Sequence, residues 1–364
     1  MENVTRIQEF RELAGLSQQQ LGERVGVTRQ TVAAWEKGDR EPSVLQLARI
    51  ARELHVSLDA LIGAEADEEA ILLFRADEPG VLSGGLRQLL SDKAEGYAAI
   101  ERLAGELSVL PESRPLDDYD PHLVEQVARE TRDWLGVEDA PLGDVSALLE
   151  GKGLKVILHR LPDEVSGFSA YTEAWGGIIV VNSGHALERQ YFTCLHELGH
   201  LIFHRREYSQ PNRKAGVRGD PREKAAHHFA SAVLLPREVM EDELRTFASG
   251  WIPTPVLADM KLRYGVSMRT VLLRAGQLDL ISKRRAGQQV GVLNKDYGKE
   301  REPVTLDPPS NRPLGRLERL TYRALLGDKV TASRAAEVLD KPLVEVRSRL
   351  AEYLVQPAPE ASES

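Results

Sequence analysis

The stretch GFSAYTEAWGGIIVVNSGHALERQYFTCLHELGHLIFH, residues 167–204, decides the fold. It opens with GFSAYT (167–172) and GGIIVVN (176–182), two β-branched and aromatic runs that read as strands. From about Ala186 to Phe203 the apolar residues then recur at helical spacing. His196 and His200 stand four apart on that helix. Positions i and i+4 share one face, a turn apart, so both imidazoles can address one ion. Glu197 sits beside the first histidine and points into the same cleft without binding the ion. This spacing suits a helix that holds zinc with two histidines while a glutamate takes a proton from the attacking water.

A catalytic zinc takes three protein ligands and keeps one position open. Glu223 is the choice for the third, because it opens the next helix in REKAAHHFASAVLLP. Other candidates stay open. His204 continues the same stripe, but the helical rise puts its Cα about 12 Å from that of His196. Three residues on one straight stripe converge poorly on a single ion, so His204 reads as support for the ligands or as packing. His227, one turn after Glu223, can be the ligand, hydrogen-bond Glu223 or steady an oxyanion. His228 is a weaker candidate. Cys194 is the single cysteine. It excludes an internal disulfide and a multi-cysteine zinc site. The helical step turns it away from the ligand face, so it reads as a small buried hydrophobe, with a redox-sensing thiol as the other reading.

Outward from this core, LKVILH (154–159) reads as another strand, and helices are expected over 85–108, 122–135, 142–150 and 221–234. Residues 64–80 carry six acids and one arginine, and PESRPLDDYDP (111–121) is proline-rich and acidic. Both read as boundaries or linkers. A Gly/Pro/Asn-rich loop is expected from about 287 to 315.

The N-terminal 5–62 has the cadence of a helix-turn-helix. Ser17 caps a helix beginning at Gln18, Gly26-Val27 makes the turn, and Thr28 caps a second helix ending at Gly38. Leu21, Val25, Val32, Trp35, Leu45, Leu47, Ile50, Ala51 and Leu58 are spaced to fill a small core. Arg29, Gln30 and Thr31 stand at the start of the second helix, where recognition helices meet base edges. Gln18, at a helix N-terminus, suits a phosphate. Residues 1–63 hold eight basic and nine acidic residues, and the chain carries a net charge of −9. Any DNA contact is therefore local and gains from two copies on two half-sites.

Residues 281–350 hold fifteen basic and nine acidic residues. Within them, GDKVTASRAAEVLDKPLVEVRSRLAEYL has a second helix-turn-helix cadence, which reads first as a packing and dimerisation module. Extra DNA contact or substrate recognition are the other readings. The 364 residues, 42% hydrophobic and 28% charged, are ordinary for a soluble protein. A polar start and no apolar run near 18 residues make the cytoplasm the expected compartment, with no membrane partner.

Two resemblances add to this. LSQQQLGERVGVTRQTVAAWEKGDREPS resembles the XRE family of phage-repressor-like domains. By position it implies that Arg29, Gln30, Thr31 and Ala34 face bases and that Gln18 and Arg40 face the backbone of double-stranded operator DNA. The run 166–204, followed by EKAAHHFASAVLLP (223–236), resembles the ImmA/IrrE family of metallopeptidases. It implies a gluzincin-like site with His196, His200 and Glu223 as zinc ligands and Glu197 as the base. The family's known members cleave transcriptional repressors; where it often has Asn or Asp, this chain has His227.

The expected fold class is multidomain and mainly α. It has an all-α helix-turn-helix domain at 1–63, a helical linker at 64–118 and a central α+β zincin-like domain with a small sheet at 119–245. A helical C-terminal domain at 246–355 and a disordered tail at 356–364 complete it. The expected function is a DNA-binding regulator with a zinc peptidase domain, manganese being the substitute metal. It would act as a homodimer and cleave a partner repressor in a stress response. The alternative is a non-proteolytic regulator, or an antitoxin paired with a toxin, whose zinc is structural or sensory.

Overall fold

The computed structural model describes residues 7–13, 16–54, 84–116, 118–209, 220–247, 250–299, 301–310 and 314–354. The acidic run 64–80, Leu58 and the tail 356–364 lie outside them. The chain forms two units by contact. One holds the N-terminal helices and the start of a long helix, up to Gly96; the other runs from Tyr97 onward.

In the first unit, α1 (Ile7–Leu13), α2 (Gln18–Val25), α3 (Arg29–Lys37) and α4 (Val44–Glu53) enclose Ile7, Leu21, Val25, Val32, Trp35, Ile50 and Ala51. Ser17 caps α2 in a capping box with Gln20. The turn is made by Gly26 in the left-handed region (φ 77°), and Thr28 caps α3 through the Thr31 amide. Leu45, expected in the core, is 71% exposed. It falls on the outer face of α4, which turns Leu47 and Ile50 inward.

The long helix α5 (Gly84–Ala104) stops short of the expected 108, where Gly105 takes a left-handed turn (φ 73°). Leu107, beyond that turn, is 82% exposed. The helix is anchored instead through Tyr97, Ile100 and Glu101. Glu101 is buried and pairs with Lys155 (2.7 Å) and Arg316.

The second unit is built on a three-stranded sheet in the order β1-β3-β2. β1 (Lys155–His159) runs parallel to β3 (Gly176–Asn182), with Lys155 opposite Ile178. β2 (Gly167–Thr172) is antiparallel to β3, with Gly167 opposite Val181. The helices α6 (Pro121–Leu135), α7 (Val145–Gly151), α8 (Leu187–Phe203) and α9 (Pro221–Leu234) share one core with it. Next come α10 (Arg237–Leu244), α11 (Thr254–Tyr264), α12 (Met268–Gln277) and α13 (Lys283–Tyr297). Residues from α11 to α13, such as Leu257, Met260, Val271 and Leu293, lie in the same core, so packing does not break at 245. The final α14 (Arg316–Leu326), α15 (Ala332–Leu339) and α16 (Leu343–Leu354) close a small cluster of their own around Tyr322, Ala335 and Val346.

Two segments differ from expectation. The loop expected from 287 begins only at Gly298, because Ser282 caps α13 and Ala286 and Leu293 are buried on its inner face. Its glycines, Gly287 and Gly291, meet nothing within 4 Å. The proline-rich 111–121 is not a free linker. Its backbone bonds the end of α8, Arg114 N to Ile202 O at 2.9 Å and Leu116 N to Phe203 O at 3.3 Å. Among the described residues, no helix is long and apolar enough to cross a membrane.

Candidate metal centre

The site is made where α8 crosses α9. On α8, His196 and His200 are buried one turn apart, their rings edge-on at 4.7 Å. Helix α9 starts where Asp220 accepts from the Arg222 amide and Pro221 takes the first helical position. That start places Glu223 in the first turn, facing α8. The two helices approach closely because residue 199 is glycine. A Cβ there would lie 3.0 Å from Phe229 Cδ1 and 3.3 Å from Ala226 Cα.

Three donor atoms meet at one point. His196 Nε2 is 3.1 Å from His200 Nε2. Glu223 places Oε2 3.2 Å from His196 Nε2 and Oε1 3.3 Å from His200 Nε2. Zinc ligands about 2 Å from a tetrahedral ion stand roughly 3.3 Å from one another. The triangle thus has the edges of a tetrahedral face, and nitrogen and oxygen donors suit a borderline divalent ion. Among the described residues, this is the group of histidine, cysteine and acid side chains able to hold a metal. Burial alone would raise the Glu223 carboxyl. Hydrogen bonds from His196 and His200 and their charge outweigh it and hold the group well below the usual carboxylate range.

The remaining sequence candidates take distinct places. His204 ends α8, and its Nδ1 lies 3.1 Å from His200 Nδ1, across the ring from the nitrogen that belongs to the triangle. A proton on His200 Nδ1, donated to His204, leaves Nε2 as a lone-pair ligand. His227 stands outside the triangle, its ring edge-on to His196 at 4.7 Å and 5.4 Å from Phe192. His228 turns away and joins Tyr119 (2.9 Å) and Glu125 (2.7 Å), which pairs with Arg274. Cys194 is fully buried in the core.

Glu197 is buried beside the triangle, and its Oε2 accepts from Ser169 Oγ on β2 at 2.5 Å. Ser169 Oγ is in turn 2.7 Å from the Tyr208 hydroxyl, on the 3-10 turn Arg205–Ser209. Sequence reasoning missed both residues. The one available signal was a serine within a strand otherwise built for burial. A cleft of about 1220 Å³ opens beside Phe192 and His227, between Lys224 and Tyr119 on one side and Thr270 and Leu273 on another.

In the first unit, Arg29, Gln30 and Arg40 are exposed, and Thr31 and Ala34 half-buried. Gln18 donates to Glu36 (2.8 Å), which also holds Arg11 (2.5 Å), so its amide is fixed against α3.

Comparison with known proteins agrees with this division. Residues 7–61 match the family model described as helix-turn-helix, and residues 149–275 match a peptidase-family model described as IrrE N-terminal-like domain. The HTH-type transcriptional regulator YgzD of Bacillus subtilis (strain 168) is 44% identical over 62 residues, 17% of this chain and 94% of that protein. The chain belongs to the XRE-type helix-turn-helix transcriptional regulators and carries an ImmA/IrrE-type domain. A second such regulator, from Methanothermobacter thermautotrophicus, is 56% identical over 50 residues, 14% of this chain and 72% of that protein. A solved structure of Bacillus thuringiensis PlcR with the peptide PapR7 and DNA aligns over 98% of this chain and 100% of that one. At a TM-score of 0.18 and 10% identity, that alignment carries no argument about the fold.

Proposed function

We propose that this regulator binds operator DNA through α3 and that its second unit is a zinc-dependent endopeptidase acting on a partner repressor or other regulatory protein. The observation that carries the peptidase reading is the triangle of His196, His200 and Glu223, with edges of 3.1 to 3.3 Å, beside a buried glutamate that is not part of it. A purely structural zinc site would be closed by a fourth protein ligand and has no use for that glutamate.

In this reading each residue has one task. His196, His200 and Glu223 hold the ion, and His204 fixes the tautomer of His200. When bound, zinc supplies Lewis acidity, which lowers the pKa of water and polarises a peptide carbonyl. Glu197 takes the proton of the attacking water and delivers it to the leaving amine. His227, at the mouth of the cleft, is placed to donate to the oxygen on which charge develops. A polypeptide would approach through the cleft that Phe192 and His227 line, both of which flank the His196 ring. Manganese is the substitute metal. On the DNA side, Arg29 and Gln30 project from the first turn of α3 toward base edges, Thr31 and Ala34 line the same face, and Gln18 and Arg40 meet the phosphates. Two copies on a two-fold operator would sum these local contacts. The setting implied is a stress response in which cleavage relieves repression.

The test is to incubate the zinc-loaded chain and its Glu197→Gln variant with the repressors encoded beside it. Cleavage by the first and none by the second is expected, with equal zinc content. No cleavage by the wild type with zinc or manganese would refute the peptidase reading and leave a non-proteolytic regulator or antitoxin.

A further inference from the structure

We infer that Ser169 and Tyr208 are positioning residues for Glu197, fixing the orientation in which its carboxylate meets the reacting proton. This rests on the peptidase reading above and adds to it two residues outside the metal-binding helix.

The proton arithmetic gives the pair a direction. Ser169 has one hydroxyl proton, and it is donated to Glu197 Oε2 at 2.5 Å. The hydroxyl 2.7 Å away on Tyr208 therefore donates to Ser169 Oγ. The chain runs Tyr208 to Ser169 to Glu197, every member buried. Bonds to an ionised acceptor are the strong ones, and neighbouring hydroxyls polarise one another. Holding Oε2 in this way stops the carboxylate from turning about its last torsion, a broad and soft one. The carboxylate is thereby held in one orientation toward the attacking water.

The fold is arranged to permit this contact. A Cβ on Gly167 would lie 2.5 Å from Val180 O and 2.6 Å from Thr193 Cγ2, so β2 lies directly against α8. Residues two apart on a strand face one way and advance about 6.7 Å, while four residues of helix advance about 6 Å. Ser169 therefore meets α8 one turn beyond Thr193, at Glu197. Ser169 is fully buried between Phe168 and Ala170, which are buried as well. A hydroxyl in such a place needs a partner, and the acid is that partner. Tyr208 is brought in by the turn after α8, where Arg205 bonds Leu201 O (2.9 Å) and Pro111 O (2.7 Å). Three separate elements thus form one hydrogen-bonded chain that ends on this carboxylate oxygen.

The test uses the full chain loaded with cobalt(II) and titrated with acetohydroxamate, followed through the cobalt absorption band. A hydroxamate places a donor where the attacking water would stand, so its affinity reports the aim of Glu197 without turnover. Glu197→Gln should weaken binding about tenfold or more, Ser169→Ala about tenfold and Tyr208→Phe about threefold, at unchanged cobalt content. Tyr208→Phe removes a single oxygen and guards against misfolding of the other variant. A crystal structure of zinc-loaded Ser169→Ala should show the Glu197 carboxylate rotated. If Ser169→Ala and Tyr208→Phe bind as the wild type does while Glu197→Gln is weakened, the positioning role is wrong and the peptidase reading stands. If the wild type takes up no cobalt, or Glu197→Gln binds unchanged, the peptidase reading itself falls and this inference with it.

Discussion

Gly199→Ala should weaken zinc binding while leaving the protein folded. The added methyl would sit 3.0 Å from Phe229 Cδ1, 3.3 Å from Ala226 Cα and 3.5 Å from Ala226 Cβ. Carbon atoms pack best at about 3.5–4.0 Å, so α8 and α9 must part by roughly half an ångström. Phe229 has no room to yield, being fully buried and edge-on against Phe203 at 5.5 Å. Overpacking costs about 1–3 kcal/mol, and alanine returns about 1 kcal/mol of helix propensity over glycine. The net loss of stability is then about 0–2 kcal/mol. The metal site feels the movement directly, because His196 and His200 ride on α8 and Glu223 on α9. Edges of 3.2 and 3.3 Å between them would widen toward about 3.7 Å, past the roughly 3.3 Å that a tetrahedral zinc asks for. A tenfold or greater loss of zinc affinity follows, in the range caused by disturbing a ligand's support. Competition against a chromophoric chelator measures the affinity, and urea melts of the metal-free protein measure the fold. Unchanged zinc affinity in a variant that folds would refute the claim that this helix contact sets the third ligand.

Three further outcomes are expected. Saturating zinc should stabilise the second unit, by about 2.7 kcal/mol at a free concentration one hundred times Kd, and a chelator should reverse it. Differential scanning calorimetry would follow the shift; no shift at saturating zinc would count against the metal site. Burial raises the Glu125 carboxyl, but hydrogen bonds from His228 and Arg274 outweigh it and bring the pKa down to about 2. The folded-state value lies below the ordinary one, so the stability it contributes is complete above about pH 4.5 and is lost as pH falls toward 2. That loss is up to about 3 kcal/mol, and Glu125→Gln should flatten the acid limb of stability against pH; an unchanged limb would count against the network. Replacing Arg29 and Gln30 together by alanine should abolish discrimination between operator and random DNA in a gel-shift titration, and retained specificity would refute the assignment of α3.

What local pattern could place and what it could not are divided by the range of the contact. Strands 167–172 and 176–182 could be bounded from composition and turn residues alone, and the i, i+4 histidines follow from helix geometry. The start of α9 was legible because Asp220-Pro221 is a helix opening. Ser169 and Tyr208 were not, since their meaning lies in contacts 28 and 39 residues apart along the chain. The same limit explains the misread of 111–121. Its prolines and acids speak for a linker, whereas its backbone is bonded to the last turn of α8. Leu45 failed for another reason, as an apolar residue says nothing by itself about which side of an element is covered.

The C-terminal helices show how far a motif can be carried. In α2–α3 and in α15–α16 an eight-residue helix, capped by Ser17 or Thr331, ends in a left-handed residue, and the next helix begins three positions on. Gly26 fills the left-handed place in one and Asp340 in the other. The same bond closes both turns, Val27 N to Gly22 O at 2.8 Å and Lys341 N to Ala336 O at 3.0 Å. Leu21 and Val32 correspond in this register to Ala335 and Val346, and all four are fully buried. The outer faces part company. Where α3 presents Arg29, Gln30 and Thr31, α16 presents Val344, 76% exposed, and Glu345, while Leu343 packs against the small cluster. Neither an exposed valine nor an acid has a hydrogen bond to donate to guanine or adenine edges, and the acid repels phosphate. The shared turn therefore argues for a shared fold and against a shared ligand, because the fold lies in the caps and the buried positions while recognition lies in the first turn of the second helix.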